Sequence, residues 1–149
     1  MNWCHYRFRS VWDLPAPPDT VYAVLERPEE YPSWWPQVRE ATRIDERSGT
    51  ARARSLLPYD IVVTLTERRR DPVAHVLETT LAGDLEGWAR WTLTSPGAGR
   101  TEVLYEQEVE VRRPLMRRLA LPARPLFRAN HALMMRGGHR GLAAHVRTV

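Results

Sequence analysis

Five histidines, His5, His75, His131, His139 and His145, are the side chains of this sequence best suited to move a proton near neutral pH. His131 stands out because it falls in a segment of helical period, directly after Asn130, whose amide can orient a carbonyl. Upstream, Tyr105 and Gln107 sit two residues apart on one face of an alternating run. Tyr105, or Tyr59, can hydrogen-bond an enolate oxygen, and Gln107 can share the carbonyl with Asn130. If the chain catalyses, His131, Tyr105 and Asn130 are the catalytic set. Buried polar groups also need partners for structural reasons alone, so these residues can equally satisfy one another, the backbone or water.

Other chemistries lack their residues. There is no Gly-rich phosphate loop, no Gly-x-Ser-x-Gly elbow and no His-Glu-x-x-His pair. Cys4 is the one cysteine, which leaves no intramolecular disulfide and no thiolate zinc site. His131 and Met135 share a helical face, but no carboxylate or thiolate joins them, so no metal is read. No cofactor is implied.

The elements that must position these groups follow from periodicity. Tyr6–Leu14 alternates, with Tyr6, Phe8, Ser10, Trp12 and Leu14 on one face. Pro15-Ala16-Pro17-Pro18 ends it, and Asp19 or Thr20 is placed to cap a helix carrying Val21, Tyr22, Val24 and Leu25. Glu29-Glu30-Tyr31 makes a short second turn, closed by Pro32, before the aromatic corner Trp34-Trp35-Pro36. Six strand-like runs follow: Val38–Glu46, Thr50–Leu57, Ile61–Arg69, Ala74–Leu81, Leu85–Thr94 and Thr101–Val111. Short spacers between them predict successive hairpins. Pro114–Leu121 reads as a short basic helical stretch broken by Pro122. A long helix then runs from Pro125 to about Val146, with Phe127, Asn130, His131, Met134, Gly138, Gly141 and Leu142 inward. Glycine inside a helix costs about 1 kcal/mol relative to alanine. Gly137, Gly138 and Gly141 therefore need an offset: close approach to the sheet, or room for a ligand.

The 149 residues fit a single α+β domain, 1–149, in which a curved seven-stranded antiparallel sheet embraces the long C-terminal helix, with two short helices after the first strand. No run approaches the roughly 20 apolar residues of a membrane span, and no secretory signal is visible, so the chain reads as soluble and cytoplasmic. Residues 1–111 hold 13 Arg and 18 acidic residues, whereas residues 112–149 hold 9 Arg and no acid; there is no Lys. That basic third is either a solvated helix face or a contact for an anionic membrane or acidic partner. Nucleic acid is not expected as a partner, and the chain is read as a monomer or homodimer.

The element order, with Trp34-Trp35-Pro36, Gly83-Asp84-Leu85-Glu86-Gly87, the strand through Trp91, and Asn130-His131-x-x-Met134, resembles the START-like (SRPBCC) superfamily, and within it the bacterial polyketide cyclase/dehydrase and lipid-transport group. The resemblance spans nearly the whole chain. It implies a helix-grip fold with a deep cavity between sheet and helix; the inward stripes alone would also describe a solid core. It further implies a hydrophobic, aromatic or polyketide-like ligand, as in antibiotic biosynthesis, with cofactor-independent cyclase, aromatase or dehydratase activity in some members and non-catalytic lipid or quinone carriage in others. On that reading the ligand would meet Trp12, Trp35, Tyr59, Trp91, Gln107, Phe127, Met134 and Gly138. Trp34 and Trp35 would stand at the pocket mouth, while Trp88, on the outer face beside Arg90, would cover an outer helix or an oligomer contact.

Overall fold

A computed structural model describes residues 4–55, 59–112 and 120–149. Strand β1 (His5–Leu14) leads into helix α1 (Pro18–Leu25) and a 3-10 turn (Pro28–Ser33). Strands β2 (Val38–Arg43), β3 (Ser48–Ala53), β4 (Ile61–Asp71), β5 (Val76–Gly83), β6 (Leu85–Thr94) and β7 (Thr101–Val111) follow, and helix α2 (Ala120–Val146) ends the chain. The strands form one antiparallel sheet in the order β1-β7-β6-β5-β4-β3-β2. The first strand pairs with the last, so the sequential hairpins return to their start.

Registers carry the expected alternation into space. Trp91 faces Tyr105 across β6 and β7, Ala89 faces Gln107, and Gln107 in turn faces Phe8 of β1. All five side chains belong to the inner face that α2 covers. On the outer face Arg90 bridges Glu78 at 3.1 Å and Glu106 at 3.2 Å, and Arg7 bonds Glu108 at 2.8 Å. Trp88 lies under the Arg90 guanidinium, 4.9 Å from its ring centroid. Among the described residues that cation, and no outer helix, covers it.

Boundaries move where side chains capture turn amides. The Asp45 carboxylate accepts from the Arg47 and Ser48 amides, both at 2.8 Å. This tightens the first hairpin, ending β2 at Arg43 and starting β3 at Ser48. Asp71 likewise accepts from Val73 and Ala74, at 3.2 and 2.9 Å, and His75 takes φ 56°, so β5 begins at Val76. Neither Asp19 nor Thr20 caps α1. Pro17 is the N-cap and Pro18 presets the first turn, which frees Asp19 to bond His75 Nε2 at 2.7 Å. Helix α2 starts at Ala120, earlier than expected, and Pro122 does not break it. A proline in the first turn removes an N–H that has no intrahelical acceptor anyway. Residues 114–119 of the expected basic stretch, and the 56–57 end of the second expected strand run, lie outside the described residues.

Candidate functional site

The inner face of the sheet does not pack solidly onto α2. A cavity of about 250 Å³ remains, walled by Phe8 of β1, Leu81 of β5, Ala89 and Trp91 of β6, and Tyr105 and Gln107 of β7. Phe127, Asn130, His131 and Met134 close it from the helix side, and Tyr31 and Trp35 from the 3-10 turn and the corner after it. Charged groups gather where the ends of β2 and β4 meet α1 and the 3-10 turn. Here Arg43 pairs with Glu29 at 3.5 Å and Arg70 with Glu67 at 2.6 Å.

The inner end is aromatic. Trp91 stands 4.5 Å from Tyr105 and 6.2 Å from Trp35, centroid to centroid. The Trp35 indole N–H donates to the Met134 carbonyl of α2 at 2.8 Å, fixing corner to helix. Tyr31 donates to the Leu25 carbonyl at 2.6 Å, and burial pushes its phenol far above the ordinary range.

One polar cluster interrupts this wall. Tyr105 Oη donates to Gln107 Oε1 at 2.5 Å, and His131 Nε2 lies 3.2 Å from the same oxygen. The His131 ring stacks on Phe8, centroids 3.7 Å apart and planes 6° off parallel. Burial lowers the His131 pKa from 6.5 to about 4, because an imidazolium there would lose its hydration without gaining an anion. Burial likewise raises the Tyr105 pKa far above its usual value. Both are neutral at pH 7. His131 is thus a hydrogen-bonding group with no proton to release at that pH.

Of the residues singled out in the sequence, His131, Tyr105, Asn130, Trp35, Trp91, Gln107, Phe127 and Met134 line the cavity. Trp12, Tyr59 and Gly138 do not. Trp12 is 2% exposed, wedged between Trp35 at 5.7 Å and Trp91 at 5.2 Å, so it seals the core behind the wall. Gly138 is buried against Trp35 and Trp12: a Cβ there would stand 2.6 Å from the Trp35 ring and 2.8 Å from that of Trp12. Tyr59 packs half-buried against the core. Trp34 and Trp35 are buried, 5% and 4% exposed, and so form the inner wall and its backing, not an open mouth. The wall residues missed from sequence include Tyr6, Phe8, Tyr31, Leu81 and Ala89. Tyr6 and Phe8 were already on the inner face of their strand; the middle of that face meets open space, and its Trp12 end meets glycine.

The sequence profile of the family described as polyketide cyclase / dehydrase and lipid transport matches residues 5–147, and the chain belongs to that family. A search of curated protein sequences finds no match. Among solved structures, the Zhui aromatase/cyclase from a Streptomyces species superposes with a TM-score of 0.80 at 14% identity, covering 96% of this chain and 94% of that one. A START superfamily protein from Mycobacterium smegmatis gives 0.74 at 15% identity, covering 95% and 97%. A point mutant of Thalictrum norcoclaurine synthase, in complex with a transition-state analogue, gives 0.68 at 11% identity, covering 97% and 95%. At these identities the likeness establishes the helix-grip fold. Among the described residues no helix is long and apolar enough to cross a membrane.

Proposed function

We propose that the chain binds a compact hydrophobic molecule of aromatic or polyketide-like kind in the cavity between sheet and α2. Any reaction there is a cofactor-free cyclisation, aromatisation or dehydration directed by the shape of the wall. The observation that carries this reading is a cavity with a charged end and an aromatic inner end, the inner end holding the polar cluster Tyr105–Gln107–His131, an arrangement expected of a ligand site. The family description and the aromatase/cyclase among the structural neighbours support it. His131, neutral at pH 7, is not an imidazolium acid there, and Trp91, Trp35 and Phe8 form the wall against which a reactive chain would fold.

A second reading, a lipid or quinone carrier that docks on anionic membranes, draws on one feature of α2. Among the described residues Arg136, Arg140 and Arg147 are exposed and make no ion pair. A volume of about 250 Å³ lies just below the usual range for small-molecule sites and suits a small ring system better than a two-chain lipid. Native mass spectrometry of freshly purified protein separates the readings. A retained aromatic molecule is expected, or uptake of one from a panel of aromatic polyketides. Retained acyl lipid would favour the carrier, and a protein that holds nothing and takes up no probe would overturn both.

A further inference from the structure

The ligand-binding reading leaves open what the buried end of the ligand looks like, and the inference below rests on that reading. Gln107 is 7% exposed and stands between Phe8 and Ala89 on the neighbouring strands, facing the cavity. Its carboxamide offers one acceptor oxygen and two N–H donors. Among the described residues both hydrogen bonds of this side chain end on the oxygen, from Tyr105 Oη and from His131 Nε2. Turning the amide over would set its NH2 against the Tyr105 hydroxyl, and the phenol proton would then have no acceptor among the described residues. A buried O–H left unmatched costs its full desolvation, so oxygen faces the pair and nitrogen faces the cavity. Neutral His131 fits the same scheme, donating from Nε2 while the acceptor stays uncharged.

The amide nitrogen therefore presents donors that no described residue matches, at the aromatic inner end of the cavity. Ala89, opposite on β6, is too small to cover them. We propose that Gln107 sets ligand specificity: its NH2 receives a neutral carbonyl oxygen, ketone or quinone in type, at the inner end of a flat hydrophobic ligand, with Tyr105 and His131 as positioning residues that hold the amide in this sense. A carboxylate does not suit this depth, because burying an anion needs a cation beside it. Arg43 and Arg70 sit instead at the charged end, paired with Glu29 and Glu67.

Two matched probe pairs test this on the full chain by isothermal titration calorimetry. 1-Tetralone and tetralin differ in a carbonyl oxygen; indole and indene differ in an N–H donor. The ketone is expected to bind roughly 2- to 10-fold tighter than its hydrocarbon, the net worth of one hydrogen bond, and indole no tighter than indene. Gln107→Met should abolish the ketone preference while tetralin still binds. Should that variant not fold, the wild-type protein decides alone. Gln37 and Gln107 are the only glutamines, and Asn2 and Asn130 the only asparagines, so with nitrogen-15 placed selectively on glutamine side chains the Gln107 amide is the signal that survives Gln37→Ala. It should move with tetralone and stay with tetralin. Equal binding of tetralone and tetralin with a still amide would overturn the inference and leave the apolar site standing. A gain for indole would show oxygen facing the cavity and overturn it too. If none of the four probes binds, the ligand-site reading falls and takes this inference with it.

Discussion

Helix α2 lines the cavity with Phe127, His131 and Met134, and from the next turn onward sets Gly137, Gly138 and Gly141 where any Cβ would meet its neighbours at closer than ordinary contact. The same helix covers the same sheet over both stretches, so the difference lies in what rises to meet it. Toward its N-terminal half the sheet offers Phe8, Ala89 and Gln107, which stop short of the helix axis. Toward its C-terminal half the Trp34-Trp35-Pro36 corner comes across, and the backbone of Trp34 reaches Gly141 itself. The glycines are thus the offset for close approach, and that approach props the other half away from the sheet. On this view the cavity is held open by packing next door to it.

The sharpest break in that comparison is Gly141→Ala. A Cβ at this position would run into the carbonyl oxygen of Trp34, which is backbone and cannot rotate away. Alanine gains about 1 kcal/mol of helix propensity, yet the overlap should outweigh it and leave a net loss of about 3 kcal/mol, at the upper end for overpacking. Urea unfolding measures it. A variant as stable as wild type would mean that α2 does not rest on the corner.

The second test is on the cavity half and reads acidity. His131 has a folded pKa near 4 against 6.5 for a free imidazole, so the unfolded chain binds the proton more readily. This contribution to stability is fully present above about pH 6.5 and is lost as pH falls from there toward 4. One group so shifted is worth about 2 kcal/mol between pH 7 and 4.5. Asp45, Asp71 and Glu108, whose pKa values are lowered by the hydrogen bonds they accept, also lose stability on acidification, through the lower carboxylate range. They do so equally in wild type and in His131→Gln. The variant should therefore lose about 2 kcal/mol less than wild type over that interval. Parallel stability curves for the two proteins would show His131 to be solvated in the folded state.

How far the sequence foresaw this differs between strand and helix. Period 2 admits one error only, the wrong face, and the inner sets of β6 and β7 fall as their alternation requires. The helix stripe placed Phe127, His131 and Met134 correctly but missed Met135 and Val146, which are 5% and 4% exposed. A helix gripped from one side by a sheet and from another by an irregular corner buries a wider arc than one stripe. Depth along the helix was out of reach. Nothing in the spacing of Met134 and Gly138 says that one turn meets a void and the next meets tryptophan, since that depends on where Trp34-Trp35-Pro36 crosses in space. Gly138 and Trp12, expected at the ligand, lie behind the cavity wall for that reason. The polar cluster was legible as residues on inward faces, but its connectivity was not, because the Tyr105–Gln107 bond is local to one strand while the His131 contact depends on the register of α2.

The smallest expected effect is the most discriminating for the glycines. Gly137 is one residue from Gly138, and a Cβ on it would also meet atoms too closely, but those atoms are the side-chain amide of Gln37. That amide is held only by a long contact, 3.5 Å, from its nitrogen to the Leu133 carbonyl, and its stem can rotate toward solvent. Gly137→Ala should then lose little in the clash and recover about 1 kcal/mol of helix propensity, for a net change within about 1 kcal/mol of zero. The ranking of Gly141→Ala far below Gly137→Ala in stability is the signature of a corner that grips through backbone at one glycine and through a flexible side chain at another. Thermal melts of the two variants side by side suffice to read it. Equal losses would mean that helix α2 tolerates no Cβ anywhere along this stretch, and the grip would extend to Gln37. Equal gains would mean that the C-terminal half stands off as the N-terminal half does, and the cavity would need another explanation for staying open.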